Sequence, residues 1–176
     1  MELKVGAVAR RTREITARDI ELFTELTGDR NPLHYDEEIA AATRFGGVIV
    51  QGGVTSGLLN AVVAEDLPGP GTVFLHTDWR FLAPVKPGDE ITAEVEVIGL
   101  REDKPVATLR TTITDQDGRI VLDGKAVTWS EPLQRAAESP NQAKRSRDGG
   151  LPAHDARGDH SERPERQRPL VQGTPG

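Results

Sequence analysis

The 176-residue chain carries 22 Lys+Arg against 28 Asp+Glu, a formal charge of -6, and no cysteine. Zero cysteine excludes disulfides, thiolate metal ligands and Cys nucleophiles, and the acidic balance argues against general nucleic-acid binding, which needs clustered Lys and Arg. Apolar stretches are too short for a transmembrane span, and the N-terminal MELKVGAVARRTREI lacks the apolar region of a secretory signal, so a soluble, cytoplasmic protein without a membrane partner is expected.

Along the chain, Thr16-Ala-Arg-Asp19 reads as a capping-box-like helix start, with Ile20, Phe23 and Leu26 following at helical spacing and Gly28 just past the end. An irregular stretch, Asp29 to Tyr35, holds the turn signal Asn31-Pro32. Asp36-Glu37-Glu38 opens a short second helix, IAAATRF, that stops at Gly46-Gly47. In VIVQGGVTSGLLNAVVAEDLPGPG, Val54, Leu58, Ala61 and Val62 share one helical face, and Leu59 and Val63 make the remainder nearly as apolar. A helix apolar on most sides is buried in something.

After Gly71 the period changes to two. Strands are expected over roughly 72–83, and over a segment where Ile91, Ala93, Val95 and Val97 alternate with Thr92, Glu94 and Glu96. Ala107, Leu109 and Ile113 alternate in the same way, and the hairpin dipeptide Asp117-Gly118 precedes RIVLDGKAVTW. Helices first and then a run of antiparallel strands make the class α+β, with about five strands curled around one buried helix.

The pattern ends near residue 130. All seven aromatics lie before it, whereas residues 131–176 hold eight basic and seven acidic residues, six of the twelve prolines, and only Leu133, Leu151, Leu170 and Val171 as large aliphatics. Such a segment does not bury enough apolar surface to offset an ordering entropy of roughly 1–2 kcal/mol per residue. Two regions are therefore expected: a domain over 1–130 and a disordered Pro/Arg-rich tail over 131–176, which leaves the negative charge on the domain.

Asp29 and His34 are the first candidates for chemistry, since a carboxylate and an imidazole on a loop can divide proton traffic. Their spacing fits turn chemistry and a packed histidine as well. Gly52-Gly53 opens the buried helix, where free N–H groups and the positive dipole end suit a developing oxyanion; close packing of small residues accounts for the pair equally. Ser56 and Asn60, at i and i+4, form a polar patch for a substrate or for the Asp29 loop, or bond to backbone carbonyls. His76, Asp78 and Arg80 alternate on one strand face as a solvated or salt-bridged set. With His34 and His76 the only histidines of the domain, no transition-metal site is expected.

The order GDRNPLHYDEEIAAATRFGGVIVQGG, GLL, LPGPGTVF and FLAPVKPGDEITAEVEVIGLREDKPVATL, across residues 3–129, resembles the MaoC-like (R)-specific enoyl-CoA hydratases of the hot-dog fold. The resemblance implies an antiparallel sheet wrapped around a long helix, a homodimer, and an acyl tunnel overhung by the Asp29–Tyr35 stretch. It also implies addition of water to a trans-2-enoyl-CoA to give the (R)-3-hydroxyacyl-CoA, without metal or redox cofactor. Matched residue by residue, Asp29 and His34 take the catalytic positions and Gly52 the oxyanion position, with Asn31, Ser56 and Asn60 as further substrate-binding candidates.

Two positions depart from the family. Gln51 stands where many members have His, and Asn60 stands where some carry a hydroxyl residue, from which a hydrogen bond to Asp29 is expected. Lys86 and Arg44 are candidates for the nucleotide end. Alternatives with the same scaffold are a 3-hydroxyacyl-[acyl-carrier-protein] dehydratase, a hot-dog thioesterase, for which Glu65 would be the helix acid, and an inactive acyl-CoA-binding module.

Overall fold

A computed structural model describes residues 3–133. The expected tail falls outside them, apart from its first three residues.

Each predicted element forms, with shifted edges. Helix α1 (Ala17–Thr27) starts where the Asp19 carboxylate reaches back to the Thr16 N–H and hydroxyl, both at 2.8 Å, and ends at left-handed Gly28 (φ 78°). Its buried side is Asp19, Ile20 and Thr24, and Leu26 is 81% exposed, so the apolar spacing misplaced the inner face by part of a turn. The second helix, α2 (Glu37–Ala41), is only five residues long and is capped by the Asp36 side chain on the Ile39 N–H. Helix α3 spans Gly52–Glu65.

Strands β2 (Thr72–Phe81), β3 (Glu90–Leu100), β4 (Val106–Asp115) and β5 (Ile120–Ser130) follow. The fifth strand, β1 (Val8–Glu14), comes first in the chain. Its sequence, VARRTRE, has no apolar alternation because it is a charged sheet edge, the usual way of blunting such an edge. All pairings are antiparallel in the order β1-β3-β4-β5-β2.

The sheet wraps α3. Thr55, Leu58, Leu59, Val62 and Val63 form the buried side of the helix, and the four aliphatic ones join Ala93, Val95, Val97, Leu109, Ile113 and Ala126 of the inner sheet face in one core. Each buried Val, Leu or Ile among them contributes roughly 1.5–3 kcal/mol by leaving water. Val54 and Ala61 are only partly buried, and Ser56, Gly57 and Asn60 face away from the core, so α3 is covered on one side rather than all round. At the far edge, Trp79 of β2 reaches across β5 to donate to Thr111 Oγ1 at 3.0 Å. Gly124 of β5 makes room for it, since a Cβ there would lie 2.0 Å from the Asp78 carbonyl and 2.9 Å from the indole. Among the described residues, no helix is long and apolar enough to cross a membrane.

Candidate active site

The stretch after α1 is held by its own side chains. Asp29 Oδ1 accepts from the Asn31 N–H at 3.1 Å, and Asn31 Oδ1 accepts from the Leu33 N–H at 3.1 Å, starting a 3-10 turn at Pro32–His34. Asn31 is thereby committed to shaping the loop. The turn carries the His34 ring inward, to 10% exposure, while the Asp29 side chain remains 40% exposed.

His34 Nδ1 lies 2.7 Å from the Ile49 carbonyl oxygen. A carbonyl only accepts, so Nδ1 carries a proton and Nε2 is left to exchange one. Nε2 stands 3.7 Å from Asp29 Oδ2. That is too long for a direct hydrogen bond and leaves a water oxygen free to bond both groups at once.

The two glycines that open α3 sit in different surroundings. Gly53 packs under α1, where a Cβ would meet Phe23 Cζ at 2.2 Å; close packing is its role. Gly52 lies on a cavity of about 940 Å³ that His34, Thr55, Phe81, Leu82 and Val85 also line. As the first residue of a 14-residue helix it has an N–H with no partner within that helix. A Cβ at Gly52 would come within 3.1 Å of the Phe81 ring.

The polar patch on α3 does not join this site. Ser56 Oγ turns back to the Gly53 carbonyl at 3.4 Å. Asn60 is exposed on the open side of α3, and no hydrogen bond links it to Asp29. The reason is geometric: eight residues of helix carry Asn60 about 12 Å along the axis from Gly52. Glu65 ends the helix, about 20 Å along the same axis from Gly52. Lys86 and Arg44 both border the cavity; Lys86 Nζ donates to the Gly46 carbonyl at 3.3 Å and Arg44 stands 5.1 Å over the Phe45 ring. His76, Asp78 and Arg80 are exposed on β2, with Arg80 paired to Asp123 at 3.3 Å.

Sequence reasoning did not single out Thr24, and it named Gln51 only as a departure from the family. Thr24, Tyr35 and Gln51 meet in one hydrogen-bonded cluster between α1 and the start of α3. Thr55, 4% exposed, adds a hydroxyl to the cavity wall. Only a polar residue at a helix position that should be apolar, Thr24 beside Ile20, hinted at the cluster.

The family model described as "MaoC like domain" matches residues 3–117. The chain is 44% identical over 125 residues to an (R)-specific enoyl-CoA hydratase of Aeromonas caviae, covering 71% of this chain and 93% of that protein. It is 42% identical over 126 residues to a 3-hydroxybutyryl-CoA dehydratase of Methylorubrum extorquens, covering 72% and 80%. The solved (R)-hydratase of A. caviae involved in PHA biosynthesis is similar with a TM-score of 0.70 at 43% identity, covering 73% of this chain and 98% of that one. A sheet of five antiparallel strands around α3 is thus the hot-dog arrangement that the resemblance implies.

Proposed function

Because the chain belongs to the family of MaoC-like domains, we propose that it adds water reversibly to trans-2-enoyl-CoA to give (R)-3-hydroxyacyl-CoA, with Asp29 and His34 as the acid–base pair. The observation that carries this reading is the pair itself: 3.7 Å between Asp29 Oδ2 and His34 Nε2, with the imidazole fixed through Nδ1 on Ile49.

In the forward direction one water bonds both groups. Asp29 takes a proton from it as the water oxygen forms its bond to Cβ of the alkene. The π electrons move to Cα and the thioester carbonyl, giving an enolate. His34, entering as the imidazolium, delivers its Nε2 proton to Cα on the same face, and the proton left on Asp29 returns to His34 to close the cycle. No electrons are gained or lost overall. Syn addition follows from both groups standing on one side of the bound alkene.

The enolate oxygen is the place where negative charge develops, and the Gly52 N–H with the positive end of α3 is the donor proposed for it. A preorganised donor stabilises the transition state more than the ground state, and one such bond is typically worth about 3–4 kcal/mol. The cavity bordered by Phe81, Leu82 and Val85 would receive the thioester and its arm.

The working unit is proposed as a homodimer. Strand β2 is a sheet edge whose Val73, Leu75 and Phe81 are each more than half exposed, and α3 leaves Gly57 with open space around it on its uncovered side. A second copy would cover both.

Purified protein with crotonyl-CoA tests the activity. Loss of conjugated-thioester absorbance without free thiol, and a product oxidised only by an (R)-specific dehydrogenase, is the expected result. Release of free thiol would replace the reading with a thioesterase. Turnover confined to carrier-protein thioesters would replace the CoA substrate.

A further inference from the structure

Thr24 lies outside the acid–base pair, yet its hydroxyl reaches each segment that carries the site. It is 4% exposed. Its Oγ1 donates to the Asp29 backbone carbonyl at 2.7 Å, and accepts from Gln51 Nε2 at 3.1 Å and from the Tyr35 hydroxyl. A hydroxyl has one proton and two lone pairs, so the group is saturated, and the two incoming donors leave its proton for Asp29. Gln51 directly precedes Gly52, and Tyr35 directly follows His34. One buried oxygen therefore ties together the three stretches that bear Asp29, His34 and Gly52.

Two contrasts set this apart from ordinary helix chemistry. Thr27, one turn further along α1, bonds its own helix through the Phe23 carbonyl at 2.7 Å, the common habit of a helical threonine. Thr24 reaches out of its helix instead. Gln51, 2% exposed, is held by its amide nitrogen alone, on Thr24 and on the Ile20 carbonyl at 3.4 Å, while its Oε1 has no partner among the described residues. A buried amide with one orphaned end relies on the bonds it does make.

We infer that Thr24 is a positioning residue for the hydration, its hydroxyl setting the Asp29 loop against His34 and the Gly52 N–H, with Gln51 and Tyr35 as struts. The inference rests on the acid–base reading of Asp29 and His34. Misplacement of a reacting group by about 1 Å costs on the order of 10²-fold in rate, so losing the hydroxyl should appear in turnover rather than in substrate affinity.

The test compares Thr24→Val, which keeps the shape, with Thr24→Ser, which keeps the hydroxyl, in crotonyl-CoA kinetics with melting temperatures alongside. Thr24→Val should lower kcat about 10- to 100-fold with KM nearly unchanged, and Thr24→Ser should restore most of it. Unchanged kcat in Thr24→Val, or a Thr24→Ser as slow as the valine variant, would overturn the inference. Should Thr24→Val not fold, Gln51→Met and Tyr35→Phe remove the struts singly; a fall in kcat in both supports the inference, and wild-type kcat in both overturns it. Asp29→Asn separates the two levels. An inactive Asp29→Asn beside a fully active Thr24→Val sinks only the positioning role, whereas a fully active Asp29→Asn sinks the acid–base reading beneath it.

Discussion

Asp29 and His34 differ in what their removal should do to the fold. The Asp29 side chain is 40% exposed and accepts only the Asn31 N–H among backbone donors, a bond that Asn retains. Asp29→Asn should therefore keep its melting temperature and lose about 10²- to 10⁴-fold in kcat, the usual worth of a general acid or base. His34→Ala should lose a similar factor and in addition about 1 kcal/mol of stability, because the Ile49 carbonyl loses its donor. Steady-state hydration rates and thermal unfolding of both variants check this; near-wild-type turnover in either would refute the assignment. At Gly52 the argument is steric. A Cβ would already press on Phe81 at 3.1 Å, and the branches of Gly52→Val would project toward the cavity. Turnover should fall about 10²-fold, and an active Gly52→Val would remove the oxyanion role.

At the scale of elements, the start of α1 links charge to stability. Burial works to raise the Asp19 carboxyl, but hydrogen bonds from the Thr16 N–H and hydroxyl and the Arg13 guanidinium outweigh it, leaving its pKa below the ordinary carboxylate value. A depressed folded-state pKa means that the contribution is complete above the unfolded-state pKa of about 4 and shrinks as pH falls through the lower folded-state value. Asp19→Ala should cost about 1 kcal/mol at neutral pH, the usual worth of a helix-start interaction. The gap in melting temperature between wild type and variant should hold from pH 7 to about 5 and narrow below about 4. A gap that widened on acidification would show the sign to be wrong.

At the scale of the domain, the described chain ends against the sheet just after β5. The Glu131 N–H donates to the Gly71 carbonyl at 3.0 Å, and the Leu133 side chain lies beside Gly71, so three residues of the expected tail belong to the sheet's end. A chain ending after Leu133 is proposed to keep turnover and melting temperature; a large loss of either would give residues 134–176 a role in the domain. Sedimentation should report twice the 19.1 kDa chain mass. Leu75→Lys, which puts a charge on the exposed edge strand, should shift the protein towards monomer. A wild-type chain that sediments as a monomer would overturn the proposed dimer.

Local chemistry made much of this legible from the residues. Period-two alternation marked β3 and β4, Thr16 with Asp19 marked the start of α1, and Gly28 its end, because each depends on neighbours within a few positions. Asp29 and His34 stood out for the same reason, as an acid and a base on one short loop. What depended on distant partners was not legible. Strand β1 has no pattern of its own and exists through its pairing with β3, more than seventy residues away. The apolar spacing points Leu26 inward, yet Thr24 is buried and Leu26 exposed, since the covered face of α1 is the one that packs on α3. An Asn60–Asp29 hydrogen bond fits the residue types, but Asn60 is exposed on α3 and no bond links the two. Apart from β1, which segments become helix and strand, and which loop holds Asp29 and His34, follow from the residues alone, because those are short-range energies. The tautomer of His34 through Ile49, the packing of Gly53 under α1 with Gly52 on the cavity, and the Thr24–Gln51–Tyr35 cluster all depend on tertiary contacts. Each of these contacts joins segments that come together only when α1 and α3 pack and the sheet closes around them.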